Sequence, residues 1–238
     1  LQAVLSRQIE DGSFPCGQKT PTAQPTFAAL VLMQRCGLIA TDPPARRAIT
    51  YLAERQLSKG GISHTGGGSG VLPCYMGVVT AALFKMGAGD TEVAQSAITW
   101  LVDHQRFDHK EMRAGGDKEW SYKAPRNYGC WDSVSCYHGV AAAFRAFAAI
   151  PAEARSDDVQ QRLDDAIEYL RIHRLYRRTS TNQPLFRHMT QFFLIGDYRS
   201  HLIDLLEGVA DADPKLIRTP WIAAAVADVQ EHADHGRI

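Results

Sequence analysis

The sequence predicts an all-α fold, an (α/α) toroid or barrel in which inner and outer helices alternate. Apolar residues recur with the helical period along most of the 238 residues, and runs of alternating β-branched residues are absent, so no sheet is expected. Two kinds of helix alternate, one apolar on every face and one amphipathic. An apolar helix has to be buried and an amphipathic helix buries one face, which predicts concentric rings.

The apolar and amphipathic helices recur as pairs, which predicts an internal repeat. The apolar class covers 25–37, 73–88, 133–150 and 198–210. The amphipathic class covers 1–8, 42–56, 90–105, 156–175 and 213–230. We predict one domain over residues 1–238. Because the chain opens at Leu1 inside a predicted helix, we expect a sequence trimmed at its N terminus.

Long connections precede every apolar helix, and short ones follow it. The long loops are 9–24, 57–72, 106–132 and 176–197. In a ring of alternating helices these loops share one end, above the N termini of the inner helices. Loops of this length without their own periodicity are typical of functional segments.

Composition and charge exclude several classes of partner. Lys and Arg number 26 and Asp and Glu number 26, so the net charge is zero, and neither nucleic acid nor an anionic membrane surface is expected to bind. No apolar run reaches the roughly 18 residues of a membrane span. The 5 cysteines are odd in number and sparse, which favours a reducing, cytoplasmic compartment over a disulfide framework. Nothing in the sequence indicates the oligomeric state.

A short phrase recurs where the amphipathic helices end. It runs from Gln8 through Gly12 to Phe14, returns from Gln56 to Gly61, and is looser after Gln105. The phrase resembles the Gln-x-x-x-Gly-x-Trp repeat of the terpenoid cyclase and protein prenyltransferase superfamily. The resemblance implies the toroid fold, with the glutamine closing the helix end and the aromatic residue packing on the neighbouring repeat. Only the first copy has the aromatic residue.

A closer resemblance is to a bacterial and archaeal prenyltransferase-like subgroup of that superfamily. The phrases that carry it are Pro73-Cys-Tyr-Met-Gly77, Cys130-Trp-Asp-Ser-Val-Ser-Cys-Tyr-His-Gly139 and His173-Arg-Leu-Tyr176. The resemblance extends over about residues 48–230. The resemblance implies an isoprenoid or similarly apolar ligand in the barrel. His201 stands where the subgroup is expected to carry Asp, so any shared chemistry is in doubt.

A set of cysteine and histidine residues predicts a zinc site. Cys74 and Cys136 begin two neighbouring inner helices, Cys130 precedes Cys136 in the loop, and His173 ends the following outer helix. Three thiolates and one imidazole make a closed tetrahedral zinc site, and helix N termini favour the thiolate form. His138 is the alternative fourth ligand. The competing interpretation is that these cysteines are small core residues.

A closed set of four ligands favours a structural zinc that holds loop 106–132 over a catalytic one. Thiolate attack by a Cys136 and His138 pair is the weaker alternative, since no orienting acid or oxyanion donor is evident.

Acidic motifs give little support to cyclase chemistry. No Asp-x-Asp-Asp string is present, which argues against cyclisation initiated by protonation. Asp164, Asp165 and Glu168 match the Asp-Asp-x-x-Glu pattern of ionising enzymes, but they lie opposite the apolar face of their helix. We therefore expect a solvated outer face there.

Aromatic and polar residues near the long loops supply the remaining candidates. The predicted substrate pocket comprises Tyr75, Tyr128, Trp131 and Tyr137, and the weak catalytic candidates are Asp132, His64 and His201. Ordinary loop packing is the alternative. The sequence thus predicts a prenyltransferase- or cyclase-like protein that binds an apolar small molecule; the other possibility is a noncatalytic, zinc-stabilised toroid scaffold.

Overall fold

A computed structural model describes residues 1–15, 22–108, 135–191 and 199–234. Four apolar helices form an inner layer: α2 (Gln24–Arg35), α4 (Pro73–Lys85), α6 (Tyr137–Ala148) and α8 (Leu202–Ala212). Amphipathic helices form the outer layer: α3 (Pro43–Tyr51), α5 (Glu92–His104), α7 (Asp157–Ile172) and α9 (Pro220–Asp234). A short helix α1 (Gln2–Leu5) precedes them. The predicted alternation of helix types is confirmed.

Each inner helix packs against the outer helix that follows it, so the chain is built of α-hairpins. Within the inner layer α4 packs against α2 and most extensively against α6, and α6 packs against α8. Proline starts α4, where its missing N–H costs nothing. Ser156 caps α7 by accepting a hydrogen bond from the Val159 N–H. Leu30, Met33, Leu83 and Phe144 are fully buried in the core between the layers.

The contact between α4 and α6 is close because glycine stands at its centre. A Cβ atom on Gly77 would lie 2.5 Å from the backbone carbon of Ala142. Ala142 itself is fully buried, as is Ala143 beside it. Small residues therefore let the two central inner helices approach backbone to backbone, which explains why this pair anchors the inner layer.

The expectation of no sheet is wrong for four residues. Strands β1 (Leu57–Ser58) and β2 (Gly61–Ile62) form an antiparallel hairpin that follows α3. The two turn residues between them, Lys59 and Gly60, have φ angles of 52° and 80°. A two-residue hairpin turn requires positive φ at both positions, which glycine supplies without strain. Hydrophobic periodicity does not reveal a β-ladder with only two residues in each strand.

A π-helical turn separates α3 from this hairpin. It covers Leu52–Gln56, where a regular helix was predicted through residue 56. Short 3₁₀ turns occur at Gly68–Gly70, Ala152–Ala154, Arg187–Thr190 and Pro214–Arg218. None of the helices in the described part of the chain has both the length and the apolar character that a bilayer span requires.

Candidate functional site

The first residues of α6 lie at the same end of the inner layer as the first turn of α4 and the end of α7. Tyr137 is buried, and its hydroxyl donates a hydrogen bond to the carbonyl oxygen of Leu175, in the loop after α7. Burial, and then the neighbouring Tyr169, raise the pKa of Tyr137 well above its ordinary value. Tyr137 therefore stays protonated and ties the start of α6 to that loop.

The end of α7 places a second pair of rings against Tyr137. Tyr169 and His173 are one helical turn apart, with ring centroids 4.7 Å from each other, and His173 lies 5.8 Å from Tyr137. The Nδ1 atom of His173 is 3.0 Å from the carbonyl oxygen of Arg177. Burial, and then Cys136, raise the pKa of Tyr169 to about 12. Both phenols are thus neutral at physiological pH.

A stack of three rings continues from these pairs. His138 lies over Phe186 with centroids 4.4 Å apart and planes 21° apart, and His188 lies 5.4 Å from His138. His188 meets His201 edge-on at 5.9 Å. We call these seven side chains the histidine–aromatic cluster; they are Tyr137, His138, Tyr169, His173, Phe186, His188 and His201. Phe186 is exposed, so the stack presents a ring face to solvent.

Asp204 holds His201 at the start of α8. The backbone N–H of His201 donates to Oδ2 of Asp204 at 3.0 Å, and Nδ1 of His201 lies 3.4 Å from the same oxygen. Burial acts to raise the pKa of Asp204, but Arg145, the hydrogen bonds from His201, and Arg35 outweigh it and hold that pKa well below its usual range. Asp204 is therefore an ionised acceptor that orients an imidazole beside the cluster.

Charged side chains fill the space between the inner helices below the cluster. Lys85 Nζ lies 2.5 Å from Glu207 Oε1 and 2.7 Å from Asp211 Oδ2, while Arg145 lies 3.6 Å from Asp204. The cavity among these groups measures only about 10 Å³. At this level the axis of the inner layer is closed.

The predicted zinc ligands are only partly described. Cys74 is buried in the first turn of α4, Cys136 is the N-cap residue of α6, and His173 follows α7, all at the same end of the layer. Across the described ranges, no three His, Cys, Asp or Glu side chains form a group that could hold a metal. Cys130 lies outside those ranges, so the four-ligand zinc site stays a prediction. His138 packs in the ring stack.

The predicted pocket and catalytic residues separate into two places. Tyr137 and His201 belong to the histidine–aromatic cluster. Tyr75, at the start of α4, instead stacks on His64 with centroids 5.3 Å apart. Tyr128, Trp131 and Asp132 fall between residues 109 and 134 and lie outside the described residues.

The acidic motif on α7 is a surface feature, as expected. Asp164 accepts a hydrogen bond from Gln160 at 2.8 Å, and Glu168 pairs with Arg171 at 2.6 Å. Asp165 lies 3.5 Å from Arg162. These partners are three or four residues away on the same helix, which is the arrangement of a solvated helical face.

Three residues of the site were not singled out by the sequence: Tyr169, Phe186 and Asp204. Tyr169 precedes His173 by one turn, and that spacing is a usable signal for a ring pair. Asp204 lies three residues after the N-cap residue His201, which is the spacing of a capping box. Phe186 lies in a loop, where no periodicity marks it.

The structure belongs to the class of α/α toroids. No protein-family model matches the chain. No curated protein matches it. Among solved structures it is similar to cellobiose 2-epimerase from Spirochaeta thermophila DSM 6192, with 15% sequence identity and a TM-score of 0.58. The match covers 97% of this chain and 65% of that one, so this chain spans about two thirds of the epimerase. At this identity the likeness shows the fold alone, and it confirms the predicted toroid.

Proposed function

We propose that this protein binds an isoprenoid or a similarly apolar small molecule at the histidine–aromatic cluster, as a toroid of the terpenoid cyclase and prenyltransferase type. The observation that carries the proposal is the ring stack of His138, Phe186 and His188, whose members lie 4.4–5.5 Å apart with planes within 24° of one another. Such a stack offers a broad apolar surface at the loop end of the inner layer.

The electrostatics of the cluster favour a ligand whose main part is uncharged. Tyr137 and Tyr169 are held neutral by burial, and the charge of Asp204 is matched by Arg145 and Arg35. Ring faces also stabilise positive charge that develops on a bound hydrocarbon, by cation–π attraction. Within this proposal His201 is the proton-accepting group, and Asp204 is its positioning residue.

A charged ligand head would meet the exposed Arg187, which directly precedes His188. Arg187 forms no ion pair with another described residue, so its guanidinium is available to an anionic group. Prenyl diphosphates carry such a group on an apolar chain. They are therefore the first probes to use. The corresponding prenyl alcohols lack the diphosphate, so comparing the two series separates recognition of the prenyl chain from recognition of the diphosphate group.

The test is thermal stabilisation of the protein by geranyl, farnesyl and geranylgeranyl diphosphate. A ligand at 100 times its Kd stabilises the folded state by about 2.7 kcal/mol, which is readily measured as a rise in melting temperature. We expect Phe186→Ala to abolish the rise. Ile39→Ala is the matched control, because Ile39 is also an exposed hydrophobic residue but follows α2 at the opposite end of the inner layer.

The second candidate function is a noncatalytic toroid scaffold. The closed axis favours it, since the ion pairs of Lys85 and Arg145 leave almost no cavity between the inner helices. Enzymes usually bind their substrates in clefts of several hundred Å³. If prenyl diphosphates of every chain length leave the melting temperature unchanged, the protein is the noncatalytic scaffold.

A further inference from the structure

We infer that a second pocket, outside the histidine–aromatic cluster, binds a neutral polyhydroxylated small molecule of the saccharide type. The pocket has a volume of about 350 Å³ and lies between the described parts of the first loop, residues 9–15 and 22–23, and the loop after the β1–β2 hairpin. That volume is within the range of ligand sites. Its lining includes Asp11, Phe14, Tyr51, Gln56 and His64. None of these residues belongs to the cluster.

Gln56 is the residue around which the pocket is built. Its counterpart in the first repeat, Gln8, uses its amide fully: Nε2 donates to the carbonyl oxygens of Gly12 and Pro44 at 3.0 and 2.8 Å, and Oε1 accepts from Arg47. Gln56 instead donates through Nε2 to the hydroxyl oxygen of Tyr51 at 2.8 Å. Within the described residues its Oε1 accepts no hydrogen bond.

This difference follows from the backbone. Gln56 ends the π-helical turn Leu52–Gln56, whereas Gln8 follows a regular turn of α1. One extra residue per turn rotates the side chain away from the position that its counterpart takes. π-Turns within α-helices occur frequently at functional sites.

The buried amide oxygen of Gln56 lacks a hydrogen-bond donor. Gln56 is 6% exposed, and a buried acceptor without a donor costs about 1–3 kcal/mol. The last torsion of a glutamine side chain is broad, so the amide can turn its oxygen toward the pocket, where Oε1 then accepts from the Tyr51 O–H in place of the present bond from Nε2. The second lone pair of that oxygen would accept from an O–H group of a ligand.

The other polar groups of the lining both donate and accept, since the hydroxyl groups of Ser13, Thr22, Tyr51 and Thr65 can do either. Nδ1 of His64 lies 2.7 Å from the carbonyl oxygen of Gly70 and therefore carries the proton, which leaves Nε2 of the neutral ring as an acceptor. Asp11 uses one carboxylate oxygen for the Ser13 N–H at 2.9 Å. Burial raises the pKa of Tyr51, so its hydroxyl stays protonated and can donate.

A lining of hydroxyl groups together with the acceptors of Gln56, His64 and Asp11 favours a ligand with several O–H groups, because each O–H can donate and accept. Ile9, Phe14 and Pro15 add an apolar wall on which the C–H face of a sugar ring can lie. An amine fits less well, because Asp11 is the one acid among the described lining residues and is exposed to solvent, where its attraction is screened. A neutral saccharide unit matches the polar groups and the apolar wall together.

The test is titration of the full chain with D-glucose, cellobiose, putrescine and farnesyl diphosphate, followed by calorimetry and ligand-observed NMR. We expect a saccharide to bind with a stoichiometry of one. Tyr51→Phe and Gln56→Met remove hydrogen-bonding groups, and Asp11→Asn replaces a carboxylate oxygen by an amide NH2, so each should weaken saccharide binding roughly 2- to 13-fold. Phe186→Ala, in the cluster, is the matched control and should leave saccharide binding unchanged.

Gln56→Met separates a binding role from a structural one. It removes a buried acceptor that lacks a donor together with the hydrogen bond from Nε2 to Tyr51, and because these effects offset we expect little change in melting temperature while saccharide affinity falls. A purely structural glutamine would give lower stability and unchanged affinity. The inference is overturned if neither saccharide binds, if putrescine binds in preference to both, or if the three pocket variants bind saccharide as the wild type does.

Discussion

The guanidinium of Arg35, at the end of α2, contacts the carboxylate of Asp204, in the first turn of α8. This ion pair joins the first and the fourth inner helices, which are 169 residues apart in sequence. Arg145 approaches the same carboxylate from α6 at 3.6 Å. One buried acid thus links three of the four inner helices.

Asp204→Asn tests this link. Removing the acid leaves Arg145 buried without its charge partner, so we expect the free energy of unfolding to fall by about 3 kcal/mol. This value is the low end for a buried pair, because Arg35 is 27% exposed. Urea denaturation measures it. Asp165→Asn, which breaks the exposed pair with Arg162, is the control and should cost about 1 kcal/mol or less.

The pH dependence of the same variant follows from the lowered pKa of Asp204. The contribution of Asp204 is fully present above the pKa of an unfolded aspartate, about 3.9, and is lost as the pH falls through the folded value. The stability difference between wild type and Asp204→Asn should therefore shrink progressively below about pH 4. A difference that stays constant down to acid unfolding would contradict the assignment.

Gly77→Ala tests the backbone contact between α4 and α6. The added Cβ would lie 2.5 Å from the Ala142 carbon, so the helices have to separate, and we expect a loss of about 1–3 kcal/mol. Gly67→Ala is the matched control: its Cβ meets nothing within 4 Å, and its φ of −115° suits any residue. Equal stability of the two variants would show that the helices are not in close contact.

Zinc binding at Cys74, Cys130, Cys136 and His173 is a separate proposal. We expect about one zinc per chain in protein prepared without chelator, as a closed four-ligand site requires. Cys74→Ser and Cys136→Ser should each remove it. Cys36→Ser should retain it, since Cys36 is an exposed free cysteine that follows α2. Elemental analysis measures the zinc content of each protein, and a wild-type protein without zinc would rule the site out.

Tyr176→Phe tests how the last outer helix is attached. The buried Tyr176 donates its hydroxyl hydrogen to Oδ2 of Asp228 on α9 at 2.5 Å, and Arg177 lies 2.5 Å from the same oxygen. Losing a hydrogen bond to a charged group should cost about 1.5–3 kcal/mol. We expect faster proteolysis within α9. Tyr51→Phe, whose hydroxyl accepts from Gln56, should leave cleavage of α9 unchanged.

The helices were predictable because their burial follows directly from residue pattern. Apolar residues on every face of α4 and α6 leave no position for these helices except the inner layer. The π-helical turn at Leu52–Gln56 was not predictable, since the residues that form it are equally compatible with a regular helix. Nor were the turn residues Lys59 and Gly60 recognised as a hairpin between strands this short.

The site was predicted in part. His173, Tyr137 and His201 were marked by their places at helix ends, and the structure brings all three into the histidine–aromatic cluster. The stacking of Phe186 depends on the path of the loop after α7, which no local pattern determines. His64 and Tyr75 lie against each other in a different contact, because the loop after the β1–β2 hairpin leads directly into α4.

The charges between the inner helices also constrain the order in which the chain can fold. Cations come first along the sequence, with Arg35, Lys85 and Arg145 on three successive inner helices, while their acidic partners Asp204, Glu207 and Asp211 all lie on the fourth. Among the described residues, a nascent chain that ends before α8 therefore holds these three cations without the acids that pair with them here. The last inner helix supplies acidic partners to all three earlier inner helices, so we expect their final packing to be completed only once α8 has been made.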